Sequence, residues 1–238
     1  MARLTIAESE RELAERAANR FTDVVQAAVD ARDAARVSLT GGTTPKRLYA
    51  LLATEPWRSR IPWRAVHLFW GDERAVEPEH EDSNYGMAYE ALIAHVPVPP
   101  EQVHRMRGEL PPEEAAREYE RILPRRFDLM LLGLGEDAHI ASIFPGSPVV
   151  HERERRVVAP FARHLNAWRI TMTPPALLSA THIVMLVAGA GKANAVAAAI
   201  EEFDDPARWP AHLLRQAGDR VEWLIDRAAA RALSAPRA

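Results

Sequence analysis

Residues 128–146 read DLMLLGLGEDAHIASIFPG, and within them Glu136, Asp137 and His139 fall inside four positions. Histidine titrates near neutrality, so it can take a proton and return it within one reaction cycle. A carboxylate two residues away can orient or polarise the ring, or bind a ligand hydroxyl. The same three residues can be read as metal ligands, although such sets usually recruit another histidine and none stands nearby in sequence. Gly133-x-Gly135-x-x-Ala138 partly matches a dinucleotide fingerprint. That loop should open a long helix, whereas Pro145-Gly146 ends this segment within a few residues. A lone histidine is most often structural. His139 stands apart because of what precedes it: the run 129–132 is wholly apolar and reads as a strand buried on both faces. Open α/β sheets keep their sites at the carboxyl ends of such strands.

Three further strand ends carry groups with chemistry. In LTGGTTPKRL, Gly41 and Gly42 let backbone N–H groups approach an anion, and Thr43 and Thr44 add hydroxyls. The helix that follows points its positive end at a ligand. The same residues also suit a plain strand-to-helix turn, and no Walker lysine follows. In GDERAV, one loop holds Asp72, Glu73 and Arg74. An arginine there can clamp an anion, and a carboxylate can bind sugar hydroxyls or do acid–base work. Alone, the stretch reads as an exposed charged turn. Ser83-Asn84 just downstream can complete the same pocket or cap the next helix. In VAGAGKANAV, Lys192 sits at a helix start after two glycines, where a cation adds to the N-terminal amides and favours phosphate. The chain has only two lysines, Lys46 and Lys192. Arg169, on the expected strand WRITMT, is the other cation able to point into a strand-end pocket.

The elements that must hold these loops alternate. Residues 4–6 read as a short edge strand. A long amphipathic helix follows from Ser9, with Ser9 as N-cap and Glu12 as its capping-box partner. Strands are expected at 35–40, 65–70, 129–132, 168–173, 182–188 and 221–225. Helices are expected at 45–54, 83–94, 113–123, 174 onward, 192–203 and from Asp226 to the end. Proline and charge at 95–125 and 145–165 leave room for a small subdomain or hairpin. Strand and helix in alternation argue an α/β fold, a largely parallel sheet between helical layers. No repeat, low-complexity tract or linker divides the chain, so residues 1–238 read as a single domain.

Composition narrows the partners. The 238 residues are 47% hydrophobic and 26% charged, with a net charge of −3. That is an ordinary soluble composition without the basic field that nucleic acid requires. Cysteine is absent, so disulfides, thiolate nucleophiles and thiolate metal sites are excluded. This suits a reducing cytoplasm. The first twenty residues lack the continuous apolar core of an export signal, and the longest apolar run, 183–190, is too short to span a bilayer.

Taken together, four stretches resemble the 6-phosphogluconolactonase branch of the glucosamine-6-phosphate isomerase/6-phosphogluconolactonase family. They are SLTGGTTPKRLY, FWGDERAVEPEHEDSNYGMA, LLGLGEDAHIASIFPGSP and RITMTPPALLSATHIVMLVAGAGKA, in the family's order and spacing. Residues 141–145, Ala-Ser-Ile-Phe-Pro, look like the lactonase form; the deaminases resemble this loop only as far as the histidine. Ala138 stands where the family usually has glycine. A methyl group there costs of order 1 kcal/mol if the position takes positive φ.

The resemblance implies a three-layer αβα sandwich with a small additional sheet or subdomain. It also implies hydrolysis of 6-phospho-D-glucono-1,5-lactone to 6-phospho-D-gluconate, the second step of the oxidative pentose phosphate pathway. In this reading His139 takes a proton from the attacking water, Asp137 orients or polarises the ring or binds a sugar hydroxyl, and Arg74 holds the oxyanion or the phosphate. Asp72 completes the catalytic set, and Gly41, Gly42, Thr43, Asn84, Arg169 and Lys192 bind substrate. No metal or organic cofactor, nucleic acid or membrane is expected, and the protein would be a cytoplasmic monomer or weak homodimer. Two rivals are an amino-sugar-phosphate deaminase/isomerase using Asp72 as base, and a non-catalytic sugar-phosphate binder.

Overall fold

Ser9 starts the first helix because its hydroxyl accepts the N–H of Glu12 at 3.2 Å. The Glu12 carboxylate reaches back in turn, past Ser9, to the N–H of Glu8 at 2.7 Å. The computed structural model describes residues 2–234. In chain order they form β1 (Arg3–Ala7), α1 (Glu10–Arg32), β2 (Ala35–Leu39), α2 (Thr43–Leu52), α3 (Trp57–Arg60), β3 (Val66–Trp70) and β4 (Asp72–Arg74). Then come α4 (Asn84–Ala91), α5 (Pro112–Ile122), β5 (Leu129–Leu132), β6 (Val157–Val158), β7 (Phe161–Ala162) and β8 (Ala167–Met172). The last elements are α6 (Pro174–Leu177), β9 (His182–Val187), α7 (Ala193–Glu201), β10 (Val221–Asp226) and α8 (Arg227–Ala230).

Among the described residues, six strands form one sheet in the order β1-β10-β9-β5-β2-β3, and every pair is parallel. Side chains alternate across a strand, so a strand buried on both faces feeds two cores. β5 does this. Leu129 and Leu131 pack with Phe21 of α1 and Leu48 of α2, whereas Met130 and Leu132 pack with Tyr119 of α5 and Val196 of α7. The result is the expected αβα sandwich. Because all six strands are parallel, the loops after β2, β3, β5 and β9 emerge on one side.

A small antiparallel sheet, β4-β8-β6 with β7 paired to β8, stands beside the large one. This corrects the reading of 71–74 as a loop. Asp72, Glu73 and Arg74 are a strand, paired with Thr171, Ile170 and Arg169 respectively. Three residues show no periodicity, and their partners lie far along the chain, so nothing local announces the pairing. The 3-10 segment Pro210–Arg220 also has no counterpart in the expected elements. Of the helical tail expected from Asp226 to the end, only α8, Arg227–Ala230, forms among the described residues; 231–234 are turn and irregular backbone, and 235–238 lie outside the described residues. Among the described residues no helix is long and apolar enough to cross a membrane.

Candidate active site

The ends of β2, β3, β5 and β9 meet around a pocket of about 240 Å³. The loop after β2 contributes Thr40, Gly41 and Gly42, and the loop after β5 contributes Gly133, Gly135, His139 and Ala141. Asp72 and Arg74 come from β4, Asn84 from the start of α4, and Lys192 from the turn after β9. A larger cavity of about 570 Å³ lies between α2 and α4, but its histidine, His95, is tied to the Glu90 carbonyl and no second titratable ring joins it.

His139 is held by its neighbours in sequence. Its Nδ1 lies 2.6 Å from Asp137 Oδ1, and its backbone N–H donates to the same oxygen at 3.2 Å. Partial burial alone would push the Asp137 carboxyl up. The hydrogen bond and charge of His139 outweigh it and hold the group down at about 2. An ionised carboxylate only accepts, so Nδ1 carries the shared proton and Nε2 of the neutral ring keeps its lone pair. Phe144 packs on the imidazole with ring centroids 4.6 Å apart.

Ala138 between them has φ of 61° and is fully buried. The left-handed conformation costs about 1 kcal/mol for a residue with a Cβ. The methyl group lies in the same core cluster as Leu134 and Ile140, and burying one carbon returns about 0.8 kcal/mol. The two terms nearly cancel, so the pair forms with alanine in the glycine position.

Gly135 makes room for the pair. A Cβ at that position would fall 2.0 Å from His139 Nδ1 and 2.6 Å from Asp137 Oδ1. Gly135→Ala is therefore expected to lower kcat about 100-fold, within the range general-base catalysis supplies, while KM changes much less. A variant with wild-type kcat would show that the ring can move without loss. Gly41 has a similar constraint, because a Cβ there would lie 1.9 Å from Asn84 Oδ1.

The cations differ in setting. Lys192 closes the 3-10 turn Ala190–Lys192 and precedes α7. Arg74 donates from Nη1 to the Asp82 carbonyl. Among the described residues neither makes an ion pair with a carboxylate within 4.0 Å, so their charge remains available to an anion. α2 begins at Gly42 with no side-chain cap, which leaves its first N–H groups free as well.

Not every expected residue reaches the pocket wall. Gly41, Gly42, Asp72, Arg74, Asn84, His139 and Lys192 line it; Asp137 stands behind His139, and Thr43 and Arg169 lie off the wall. Arg169 is directly across the β4–β8 ladder from Arg74, and its Nη1 donates to the Trp168 carbonyl. Burial first, then the Arg74 charge, lower its pKa from the ordinary guanidinium value. Glu73, read with Asp72 as a ligand-facing carboxylate, is turned inward. It accepts the N–H groups of Arg74, Asn84 and Tyr85 at 2.7–2.8 Å and fastens the start of α4. Burial nevertheless raises its pKa.

Ser142 is the residue that sequence reasoning missed. It is buried, and its hydroxyl donates to Asp72 Oδ2 at 2.6 Å. Its place in the Ala-Ser-Ile-Phe-Pro run was the only available signal. Among the described residues no three His, Asp or Glu side chains are gathered as a metal-ligand set.

A family model for glucosamine-6-phosphate isomerases/6-phosphogluconolactonase matches residues 8–223. A 6-phosphogluconolactonase of Synechocystis is 36% identical over 228 residues, covering 91% of this chain and 92% of its own. The structure of the Trypanosoma brucei 6-phosphogluconolactonase superposes with a TM-score of 0.86 at 28% identity, over 98% of this chain and 99% of that one. A monomeric glucosamine-6-phosphate deaminase superposes with a TM-score of 0.85 at 23% identity, over 97% of this chain and 99% of that one, a likeness of fold alone.

Proposed function

We propose, from the premise that this chain belongs to the glucosamine-6-phosphate isomerase/6-phosphogluconolactonase family, that its pocket hydrolyses 6-phospho-D-glucono-1,5-lactone to 6-phospho-D-gluconate. The protein is a 6-phosphogluconolactonase-type enzyme of the oxidative pentose phosphate pathway. The observation that carries this reading is the Asp137–His139 pair at 2.6 Å, with His139 on the wall of a pocket that also holds the uncompensated cations Arg74 and Lys192.

Neutral His139 takes a proton at Nε2 from a water whose oxygen attacks the lactone carbonyl carbon. Charge develops on the carbonyl oxygen, where Arg74 stabilises it. As the tetrahedral intermediate collapses, the bond from C1 to the ring oxygen breaks and the imidazolium returns its proton to that oxygen. The new carboxylic acid then ionises to solvent, and His139 is neutral again. Asp137 holds the ring in the tautomer that both transfers need.

The phosphate sits at the uncapped start of α2, on the N–H groups of Gly41, Gly42 and Thr43, with Lys192 supplying charge at the wall and Arg169 adding only a more distant field. Anchoring the dianion at one end positions the carbonyl at the other. Asp72 and Asn84 receive the sugar hydroxyls. The whole chain serves as one catalytic domain, acting as a monomer or weak homodimer. The absence of cysteine agrees with a cytoplasmic setting.

Replacing Lys192 by alanine is expected to raise KM about 10- to 100-fold, the worth of one charge-assisted hydrogen bond, with a smaller effect on kcat. A loss confined to kcat would move Lys192 away from the phosphate. The reading as a whole is tested with freshly made lactone, whose acid release should be faster with protein than without. Ammonia release from glucosamine 6-phosphate without lactone hydrolysis would favour the deaminase. Sugar-phosphate binding with neither reaction would leave a binding protein.

A further inference from the structure

We infer that Ser142 is a positioning residue that turns Asp72 into the acceptor for the lactone's 2-hydroxyl, an assignment that rests on the lactonase reading above. Ser142 lies three residues after His139, and its side chain bridges the catalytic loop to the small sheet. Its Oγ donates to Asp72 Oδ2 at 2.6 Å, and its backbone N–H donates to Thr171 Oγ1 at 3.2 Å. Thr171 is the residue directly opposite Asp72 in the β4–β8 register, and its own hydroxyl donates to the Met172 carbonyl at 3.0 Å. All three residues are buried. One oxygen of Asp72 is thus committed to the protein through a short, charge-assisted bond.

The other oxygen is not. Among the described residues Oδ1 has only the Asn84 amide, at 3.5 Å, the outer limit of a hydrogen bond. A carboxylate oxygen accepts two hydrogen bonds, and Asp72 is on the pocket wall, so Oδ1 retains capacity for a ligand donor. With Ser142 holding Oδ2, the carboxylate cannot swing about its χ angles without leaving a buried oxygen and a buried hydroxyl unpaired.

The position of Asp72 selects which hydroxyl it meets. Asp72 and Arg74 are two apart on one strand and share a face. Asp72 is also tethered through Ser142 to the loop that carries His139. It therefore lies at the carbonyl end of the substrate, where the nearest sugar hydroxyl is the one on C2. Ser142 in this way makes the site selective for 2-hydroxylated aldonolactones over 2-deoxy ones.

The test compares kcat/KM for 6-phosphogluconolactone and for its 2-deoxy analogue, each generated fresh. A ratio of the two does not depend on the fraction of protein that is folded. The wild type is expected to prefer the parent lactone about 10- to 100-fold, the worth of a hydrogen bond to a charged acceptor. In Ser142→Ala that preference should fall to a few-fold or less, mostly through KM of the parent lactone. Ser142→Cys keeps the volume with a weaker donor and should give an intermediate preference. In Asp72→Asn the preference should already be lost, and adding Ser142→Ala should change it no further. Three results overturn the proposal: undiminished preference in Ser142→Ala, an equal loss for both lactones, or the same loss from Ser142→Ala with and without Asp72→Asn. An inactive wild type would instead overturn the lactonase reading and this proposal with it, so the two failures are distinct.

Discussion

Replacing His139 by alanine is expected to lower kcat about 1,000-fold, the middle of the range that a positioned general base supplies. KM should stay within a few-fold of wild type, because Lys192, Gly41 and Gly42 line the pocket independently of the ring. The removed side chain leaves space beside Asp137 and Phe144, and free imidazole should partly restore turnover by entering it. Gly135 and the Asp137 carboxylate would then orient the added ring as they orient the native one. Rate measurements on fresh lactone, with and without imidazole, and corrected for spontaneous hydrolysis, test this. A variant retaining near-full rate would remove His139 from the chemistry. A large loss with no imidazole response would instead indicate that the alanine disturbed the loop.

Asp137→Asn should cost about 100-fold or more in kcat, although it preserves size and shape. An amide can donate its NH₂ to Nδ1, which moves the ring proton to Nε2 and leaves no lone pair facing the water. The same pair gives a pH signature. Asp137 is held at about 2, below its ordinary value, by its hydrogen bond and charge interaction with His139 working against partial burial. A depressed carboxyl contributes stability above its unfolded pKa and loses it as pH falls through the folded value. The pairing should therefore be complete at pH 5 and above and be lost progressively toward pH 2. Asp137 is partly exposed, so solvent screening keeps this contribution modest. Comparing urea unfolding of wild type and Asp137→Asn at pH 6 and pH 3 should give a gap that narrows at the lower pH. A gap that widens at pH 3 would contradict a carboxyl held below its ordinary value in the folded state.

Most of the scaffold was legible because it obeys local rules. The apolar run of β5 is short, flanked by charge and glycine, and buried on both faces, as its lack of alternation implied. Each candidate loop was found because it follows such a strand. What escaped was pairing between distant segments. β4 has three residues and no period, so Asp72–Arg74 read as a loop until β8 appeared opposite. Glu73 read as part of an exposed charged turn because charge normally is exposed; the N–H groups of Arg74, Asn84 and Tyr85 make its burial tolerable, and the last two come from α4, ten or more positions away. Ser142 meets Asp72 across 70 positions of sequence, which no spacing rule could pair. Ala138 was the reverse case. Its identity suggested strain, and its φ of 61° bears that out, but only the surrounding core shows what offsets the cost.

Everything in the proposed mechanism depends on His139 delivering a water molecule directly to the lactone carbonyl. Single-turnover hydrolysis in ¹⁸O-labelled water, with protein in excess over lactone and the time course faster than the spontaneous reaction, tests it most directly. Direct attack predicts one ¹⁸O in the carboxylate of 6-phosphogluconate from the first turnover, and none in the protein. Unlabelled product in that turnover, with ¹⁸O appearing in an aspartate or glutamate side chain, would show a covalent acyl intermediate and contradict it.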